Sequence, residues 1–315
     1  MIIDVISYLE ETLLIERAAL NKFIASSPHR YKIYPIPKRN GSGVRVIAHP
    51  ARELKYVQRI VAKAYFGKLC VHEAATAYRK GANIRDHACR HKGAKYLLKM
   101  DFKDFFPSIR PHDLIECFEK AHKTELDEIN KDALSRLFFY RPSRRSKTLQ
   151  LSIGAPTSPI ISNSVMYDFD SELSIYASKN NITYSRYADD LAFSSNQKGL
   201  LRDAEEKVIE IVDKMRRPRL KINSEKTVHI SAKHNMHLTG LVLTSSGSVS
   251  IGRGKKREIK SLVHLALRNS LPDERLQYLR GYLSYCVGVD PDFLGNLKRK
   301  YGPEEIEDIM AGRRG

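Results

Sequence analysis

Three aspartates stand where a soluble chain rarely leaves carboxylates. Asp101 closes the apolar run Leu97-Leu98-Lys99-Met100, and Asp189-Asp190 sit at the centre of TYSRYADDLAFSS, with strand-like residues on both sides. Carboxylates at the tip of a buried hairpin are costly unless a cation holds them. Two kinds of cation are open. A basic side chain such as Arg186 would make a structural ion pair. A hard divalent ion would take carboxylate oxygens together with water and phosphate. Two such ions about 3.5–4 Å apart activate a hydroxyl and stabilise departing pyrophosphate. That chemistry needs two carboxylates close together and a third from another strand, which Asp189, Asp190 and Asp101 supply.

These residues need rigid elements to position them. Residues 96–100 read as a buried strand stopped by a turn around Pro107, and 182–195 as strand, tight turn, strand. Residues 31–49 read as a β-hairpin, YKIYPIP and VRVIAHP, with Asn40-Gly41-Ser42-Gly43 as the turn signal. One helix is expected over 4–25. A second runs over about 52–70, with Leu54, Val57, Ile60, Val61 and Ala64 on one stripe. Helices follow over 111–140, over about 160–178 with Pro159 near the first turn, and over 200–215. Residues 154–159 form a turn, and short strands lie within 219–231 and 237–252. From Lys255 onward the pattern is helical with two basic faces. The mixture is α+β.

The chain has 315 residues, enough for about two domains, or one large domain with an appendage. Its net charge is +18, which points to a polyanion partner. Residues 30–100 carry most of the surplus, with 17 Lys and Arg against 3 Asp and Glu. Tyr31, Tyr34, Tyr56, Tyr65 and Tyr78 are interleaved there and could stack on bases or sugars. The bland alternative is a solvated basic surface. No apolar run approaches the roughly 18 residues of a membrane span. Asp4, Glu10, Glu11 and Glu16 interrupt the N-terminal segment against a signal peptide. Cys70, Cys89, Cys117 and Cys286 form no CxxC pair, which argues against a zinc cluster or disulfide framework and for a reduced cytoplasm.

The motifs and their order resemble those of reverse transcriptases. Tyr187-Ala188-Asp189-Asp190 is similar to the YxDD motif, and Asp101-Phe102-Lys103-Asp104-Phe105-Phe106 to the first catalytic motif. Residues 154–159, GAPTSP, resemble the glycine loop; 220–227, LKINSEKT, the lysine motif; and Thr239-Gly240-Leu241 the primer-gripping segment. The RELK run at 52–55 and DFFPS at 104–108 resemble the bacterial retron enzymes in particular. Where that family commonly has Asn-Ala-x-x-His and Val-Thr-Gly, this chain has His87-Ala88-Cys89-Arg90-His91 and Leu238-Thr239-Gly240. Ile153 stands where many reverse transcriptases have Gln.

The resemblance implies a right-hand polymerase. After an N-terminal helical segment (1–29), fingers span 30–100 and 111–160. Palm spans 96–110 and 160–240, and primer grip and helical thumb span 241–315. It implies two Mg²⁺ ions, or Mn²⁺ in vitro, held by Asp101, Asp189, Asp190 and the Phe102 carbonyl, with dNTPs as substrates. Lys226 is the expected proton donor to pyrophosphate, or else a solvated lysine. Lys38 and Arg45 would clamp the triphosphate, or contact backbone phosphates generally. Phe106 would pack under the sugar, and Gly154 and Ala155 would approach the nucleotide. Tyr187, His87, His91, Thr239, Gly240, Lys255, Lys256 and Arg257 are the expected primer and RNA contacts. Retron enzymes copy a structured non-coding RNA from an internal guanosine 2′-OH into branched RNA–DNA, often beside an effector protein in defence against phage. Oligomerisation through that RNA or effector is left open. The rival readings are a group II intron-like reverse transcriptase, a non-catalytic RNA-binding scaffold on a palm fold, and a cyclase-like enzyme on a related palm.

Overall fold

A computed structural model of the chain describes residues 3–38, 43–79 and 81–313. The expected first helix is two. Asp4 caps α1 (Val5–Leu13), accepting from the Ile6 and Ser7 N–H groups. Leu14 then turns left-handed (φ 52°), and α2 (Arg17–Ser26) starts in a new direction. No Gly or Pro marked that break. The hairpin is present as β1 (Tyr31–Pro37) and β2 (Val44–Pro50); the Asn40-Gly41-Ser42 part of its expected turn lies outside the described residues. α3 (Arg52–Tyr65) buries Leu54, Val57 and Val61 as expected, and Gln58 in place of Ala64. The Gln58 side-chain N–H groups are satisfied there, donating to the Leu137 carbonyl (2.7 Å) and to the Tyr31 hydroxyl (3.0 Å).

The chain continues through α4 (Ile84–Arg90), opened by an Asn83/Asp86 capping box, and β3 (Tyr96–Asp101). Next come α5 (Phe105–Ser108), α6 (Pro111–His122), α7 (Glu128–Phe138), and the short strands β4 (Phe139–Tyr140) and β5 (Gln150–Leu151). The expected helix over 160–178 divides at Met166 into α8 (Ser158–Val165) and α9 (Tyr167–Lys179), with Pro159 in the first turn of α8. β6 (Thr183–Tyr187), β7 (Asp190–Ser195), α10 (Leu200–Lys214) and β8 (Val228–Ser231) follow. The chain ends in β9 (Met236–Leu238), β10 (Leu241–Leu243), β11 (Val249–Ser250) and the helices α11 (Arg253–Leu267), α12 (Asp273–Val289), α13 (Pro291–Tyr301) and α14 (Pro303–Ala311).

The central sheet is antiparallel, in the order β6-β7-β3-β8. Its outer strand β6 is not bare. Residues 74–76 run parallel to it through a bridge between Ala75 and Arg186. The Arg186 N–H donates to the Ala74 carbonyl and the Thr76 N–H to the Arg186 carbonyl, both at 2.8 Å. Alternation along the strands assigns their side chains to two cores. Leu98, Met100, Leu191 and Phe193 join Phe169 and Leu173 of α9 and Ala204 and Val208 of α10 in the larger one. Leu97, with Ala88 of α4, joins the second, built from β9–β11 and the last four helices. The α+β expectation holds, and the carboxylates stand at one end of the central sheet.

Candidate active site

β3 and β7 pair in a register that sets Asp101 opposite Asp190, so two carboxylates share one rung of the ladder. Tyr187 pairs with Asp190, leaving Ala188-Asp189 as a two-residue turn. Ala188 takes φ 58°, a left-handed value usual for glycine at the first central position of such hairpin turns. The main chain holds this arrangement from both sides. The Phe102 N–H donates to the Asp189 carbonyl (3.2 Å), and the Asn223 N–H to the Asp101 carbonyl (2.8 Å).

The charges are left under-compensated. Burial, and next the Asp101 charge, hold the Asp189 carboxyl above its usual range. Burial, then Asp189 and Asp101, push Asp190 up to about 7. The nearest cation is Lys226, whose Nζ lies 3.0 and 2.9 Å from the two Asp101 oxygens. Burial disfavours that ammonium, but the Asp101 hydrogen bond and the carboxylate charges outweigh it and raise the Lys226 pKa. Among the described residues no three acidic, His or Cys side chains close into a cage by themselves. The donor set still fits a hard divalent ion. It offers oxygen ligands only, an excess of negative charge, and the few carboxylates that Mg²⁺ takes beside water and phosphate.

Beneath the turn lies a buried ion pair that the sequence reading missed. Arg186 does not hold Asp189 or Asp190. It is fully buried and pairs with Asp170 of α9, Nη2 to Oδ2 at 2.6 Å and Nε to Oδ1 at 2.9 Å. The Tyr184 hydroxyl donates to the same carboxylate at 2.7 Å. Arg186 Nη1 reaches the Asn163 side-chain oxygen (3.2 Å) and the Ala188 carbonyl (2.9 Å), so the guanidinium braces the turn from below. A signal was present, since Asp170 shares a buried helical stripe with Met166, Phe169, Leu173 and Ala177.

The histidines require a correction. His87 and His91 are buried inside the protein and do not face RNA. His91 bonds through Nδ1 to Ser194 Oγ (2.8 Å) and through Nε2 to Ser185 Oγ (2.7 Å). His87 Nδ1 bonds to Thr76 Oγ1 (2.9 Å) and Ser185 Oγ (3.0 Å), and its ring lies 5.5 Å from that of Tyr187. They support the strand and its tyrosine from within. Tyr187 itself is partly exposed.

Gly154 is needed at its position. Its φ is 122°, and a Cβ there would sit 3.2 Å from Ile47 Cγ2 and 3.4 Å from the Ala48 carbonyl oxygen. The Ala48 N–H donates to the Ile153 carbonyl (2.9 Å), which docks this loop on β2, and Ala155 is buried behind it. Arg45 and Lys38 are exposed on the hairpin, and the Arg45 charge is felt at Asp189. Phe106 is partly buried, edge-on to Phe105 at 5.4 Å. Thr239 and Gly240 form the β9–β10 turn, both with positive φ. Of the three basic residues expected on RNA, Arg257 is exposed. Lys255 is engaged by Glu258 (2.6 Å) and the Tyr278 hydroxyl (3.1 Å). Lys256 is partly buried. Its Nζ lies 2.8 Å from buried Asp290, which also accepts from the Ile251 and Phe293 N–H groups.

Residues 36–243 match the family described as "Reverse transcriptase (RNA-dependent DNA polymerase)". The chain is 40% identical over 280 residues to the retron Ec83 reverse transcriptase of Escherichia coli, covering 89% of both chains. It is 33% identical over 295 residues to the retron Ec73 reverse transcriptase of the same organism, covering 89% of this chain and 90% of that one. Among solved structures, apo telomerase from Candida tropicalis superposes with a TM-score of 0.50 at 14% identity. That match covers 90% of this chain, which spans 62% of the telomerase's length, and it shows the shared right-hand polymerase fold.

Proposed function

We infer a function from one premise: the chain belongs to the retron reverse transcriptases and is an RNA-directed DNA polymerase. It copies part of a cognate structured non-coding RNA into single-stranded DNA. The first acceptor is the 2′-OH of an internal guanosine, so the product is branched RNA–DNA. The setting is the cytoplasm, in an anti-phage system with an effector protein encoded nearby. Among the described residues no helix is long and apolar enough to cross a membrane.

The observation that carries the chemistry is the shared rung of Asp101 and Asp190, with Asp189 in the adjoining turn. With the Phe102 carbonyl, these carboxylates would hold two divalent cations, Mg²⁺ or in vitro Mn²⁺, which when bound supply Lewis acidity toward the attacking hydroxyl and the departing pyrophosphate. Lys226, kept protonated by its acidic neighbours, gives a proton to that pyrophosphate. Arg45 and Lys38 clamp the dNTP triphosphate, Arg as a fork of donors and Lys as a point charge. Gly154 and Ala155 bring backbone close to the nucleotide, and Phe106 packs under its sugar and excludes a ribose 2′-OH. Thr239 and Gly240 grip the primer beside Tyr187. Lys255 and Arg257 face the growing hybrid. Fingers (30–100 and 111–160), palm (96–110 and 160–240) and thumb (241–315) divide this labour.

Primer extension tests the reading. Protein co-expressed with its adjacent non-coding RNA receives Mg²⁺ and labelled dNTPs, with Asp189→Ala/Asp190→Ala as control. The expected product is labelled DNA joined to RNA until a 2′–5′ linkage is debranched. Extension from an added 3′-OH primer alone would keep the polymerase and discard the branched start. RNA binding with no incorporation would favour the scaffold reading.

A further inference from the structure

The break between α1 and α2 opens an apolar groove outside the catalytic geometry. Leu14 turns left-handed there (φ 52°), a strained conformation for a leucine, and its side chain stands 91% exposed. The groove beside it holds about 830 Å³ and is open to solvent. Leu13, Ile15, Ala19, Leu20 and Phe23 line it from the first two helices and their link, and Val57 lines it from α3. Tyr56, 60% exposed, lines it as well. α1, α2 and α3 all pack on α7, and none of them borders the strands that carry the three carboxylates in the sheet order. An apolar concave surface with a polar rim marks an interaction site.

The charged residues say what the partner carries. Lys22, Arg30 and Arg52 line the groove against one acid, Glu53. The neighbouring ion pairs use Arg17, Lys131 and Arg136, and among the described residues no carboxylate pairs with Lys22, Arg30 or Arg52. Arg30 is held in place. Its guanidinium lies over the Phe23 ring, 4.6 Å from the centroid, and its Nε donates to Ser26 Oγ (2.9 Å). Its carbonyl accepts from the Ala51 N–H (2.8 Å), which sets it at the start of α3. Ala51 has no side chain to cap the free N–H groups of the first turn, and Arg52 adds a positive charge at the positive end of the helix dipole. Two guanidiniums and an uncapped helix start therefore meet at the groove, a set of donors that suits a carboxylate.

The Arg52–Lys55 run, which the catalytic geometry leaves without a part, divides accordingly. Leu54 enters the core, Lys55 contacts His49, and Arg52 and Glu53 line the groove. A nucleic acid suits this surface less well. Bases stack on aromatic planes and the backbone follows a continuous basic track, whereas this lining is mostly aliphatic. We propose that the groove docks an amphipathic, acidic segment of a partner protein. Its apolar side chains enter beside Leu20, Phe23 and Val57, and one of its carboxylates is taken by Arg30, Arg52 and the N–H groups that open α3. This site is separate from the polymerase centre and does not depend on that reading.

The test selects a phage-displayed library of peptides about 16 residues long on the full chain. The expected winners carry Asp or Glu beside apolar residues spaced three and four apart. Their synthetic versions are titrated by fluorescence polarisation. Ala19→Glu, which puts a carboxylate into the groove, and Arg52→Glu should each weaken that binding at least about tenfold. Lys198→Glu, the same charge change as Arg52→Glu on an exposed bend, should not. Ala19 and Arg52 are exposed, so both groove variants should keep the wild-type fold and primer extension. Selected peptides that lack acidic residues, or that bind Ala19→Glu and Arg52→Glu as they bind wild type, overturn the proposal. A loss of RNA affinity in the two groove variants also overturns it, because the groove would then belong to the RNA path.

Discussion

Asp101 and Asp190 occupy one rung of the β3–β7 ladder, so strand pairing itself sets two like-charged carboxylates opposite each other. The same geometry separates activity from stability. Asp190→Asn should reduce incorporation at least about a thousandfold, since a carboxylate proposed to hold a divalent ion is lost. It should also raise the melting temperature of the metal-free protein, because a carboxylate held at about 7 by burial and like charge becomes neutral. Thermal melts in EDTA beside primer extension check both halves. A lower melting temperature would show that the repulsion is already relieved.

The Arg186–Asp170 pair makes the opposite prediction. Both groups are fully buried, so removing either leaves an uncompensated charge. Arg186→Ala or Asp170→Ala should each cost about 3–5 kcal/mol. The double replacement Arg186→Met/Asp170→Leu should recover much of that stability in urea titrations. Polymerase activity should not return with it, because the brace under Ala188 is still missing.

Gly154→Ala tests the loop that docks on the hairpin. A side chain at φ 122° is strained, and its Cβ meets Ile47 Cγ2 at 3.2 Å. The expected cost is about 1–3 kcal/mol, read in denaturant unfolding. Ile47→Ala in the Gly154→Ala background should relieve the steric part and leave the backbone part.

The buried histidines give the protein an acid-sensitive stability. Burial first, and then Arg90, pushes His87 down to about 3; burial, then His87 and Arg90, does the same to His91. Unfolded, each protonates near 6.5. Between those values the unfolded chain binds more protons than the native one. Their contribution is therefore complete above about pH 6.5 and falls as pH drops toward 3, by at most about 1.4 kcal/mol per unit for each ring. Urea midpoints from pH 8 to 5 should show this slope, and His91→Gln should flatten it.

Two adjacent basic residues of α11 should separate. Lys256→Ala should lower the melting temperature, since buried Asp290 loses its cation, and should leave the salt dependence of RNA binding intact. Arg257→Ala should reduce that salt dependence by about one released counterion and leave the melting temperature unchanged. Melting curves and binding titrations at several salt concentrations distinguish them.

Sequence was informative where the signal is local. Apolar strands ending in Asp101 and turning at Asp189-Asp190 placed the carboxylates on one sheet, and a glycine before Ala155 marked the 154–159 turn, though not its docking on β2. Pairings across distance were less legible. Arg186 finds Asp170 on a preceding helix and Lys256 finds Asp290 beyond α12, and no spacing rule joins such residues. For His87 and His91 the spacing defined a face of α4, but not that the sheet covers it. The helix breaks at Leu14 and Met166 carry no glycine or proline that would have marked them.

The strand order has a consequence for synthesis. β3 is central, yet its partners β7 and β8 end at Ser195 and Ser231, long after β3 itself has been made. At ribosomal rates of about 5–20 residues per second, β3 waits roughly 6 to 26 seconds for its second neighbour. Through that interval its apolar residues Leu97, Leu98 and Met100 lack their final cover. The nascent chain thus carries an uncovered apolar strand in mid-translation, open to aggregation and chaperone capture, with the β3–β7 pair still unassembled.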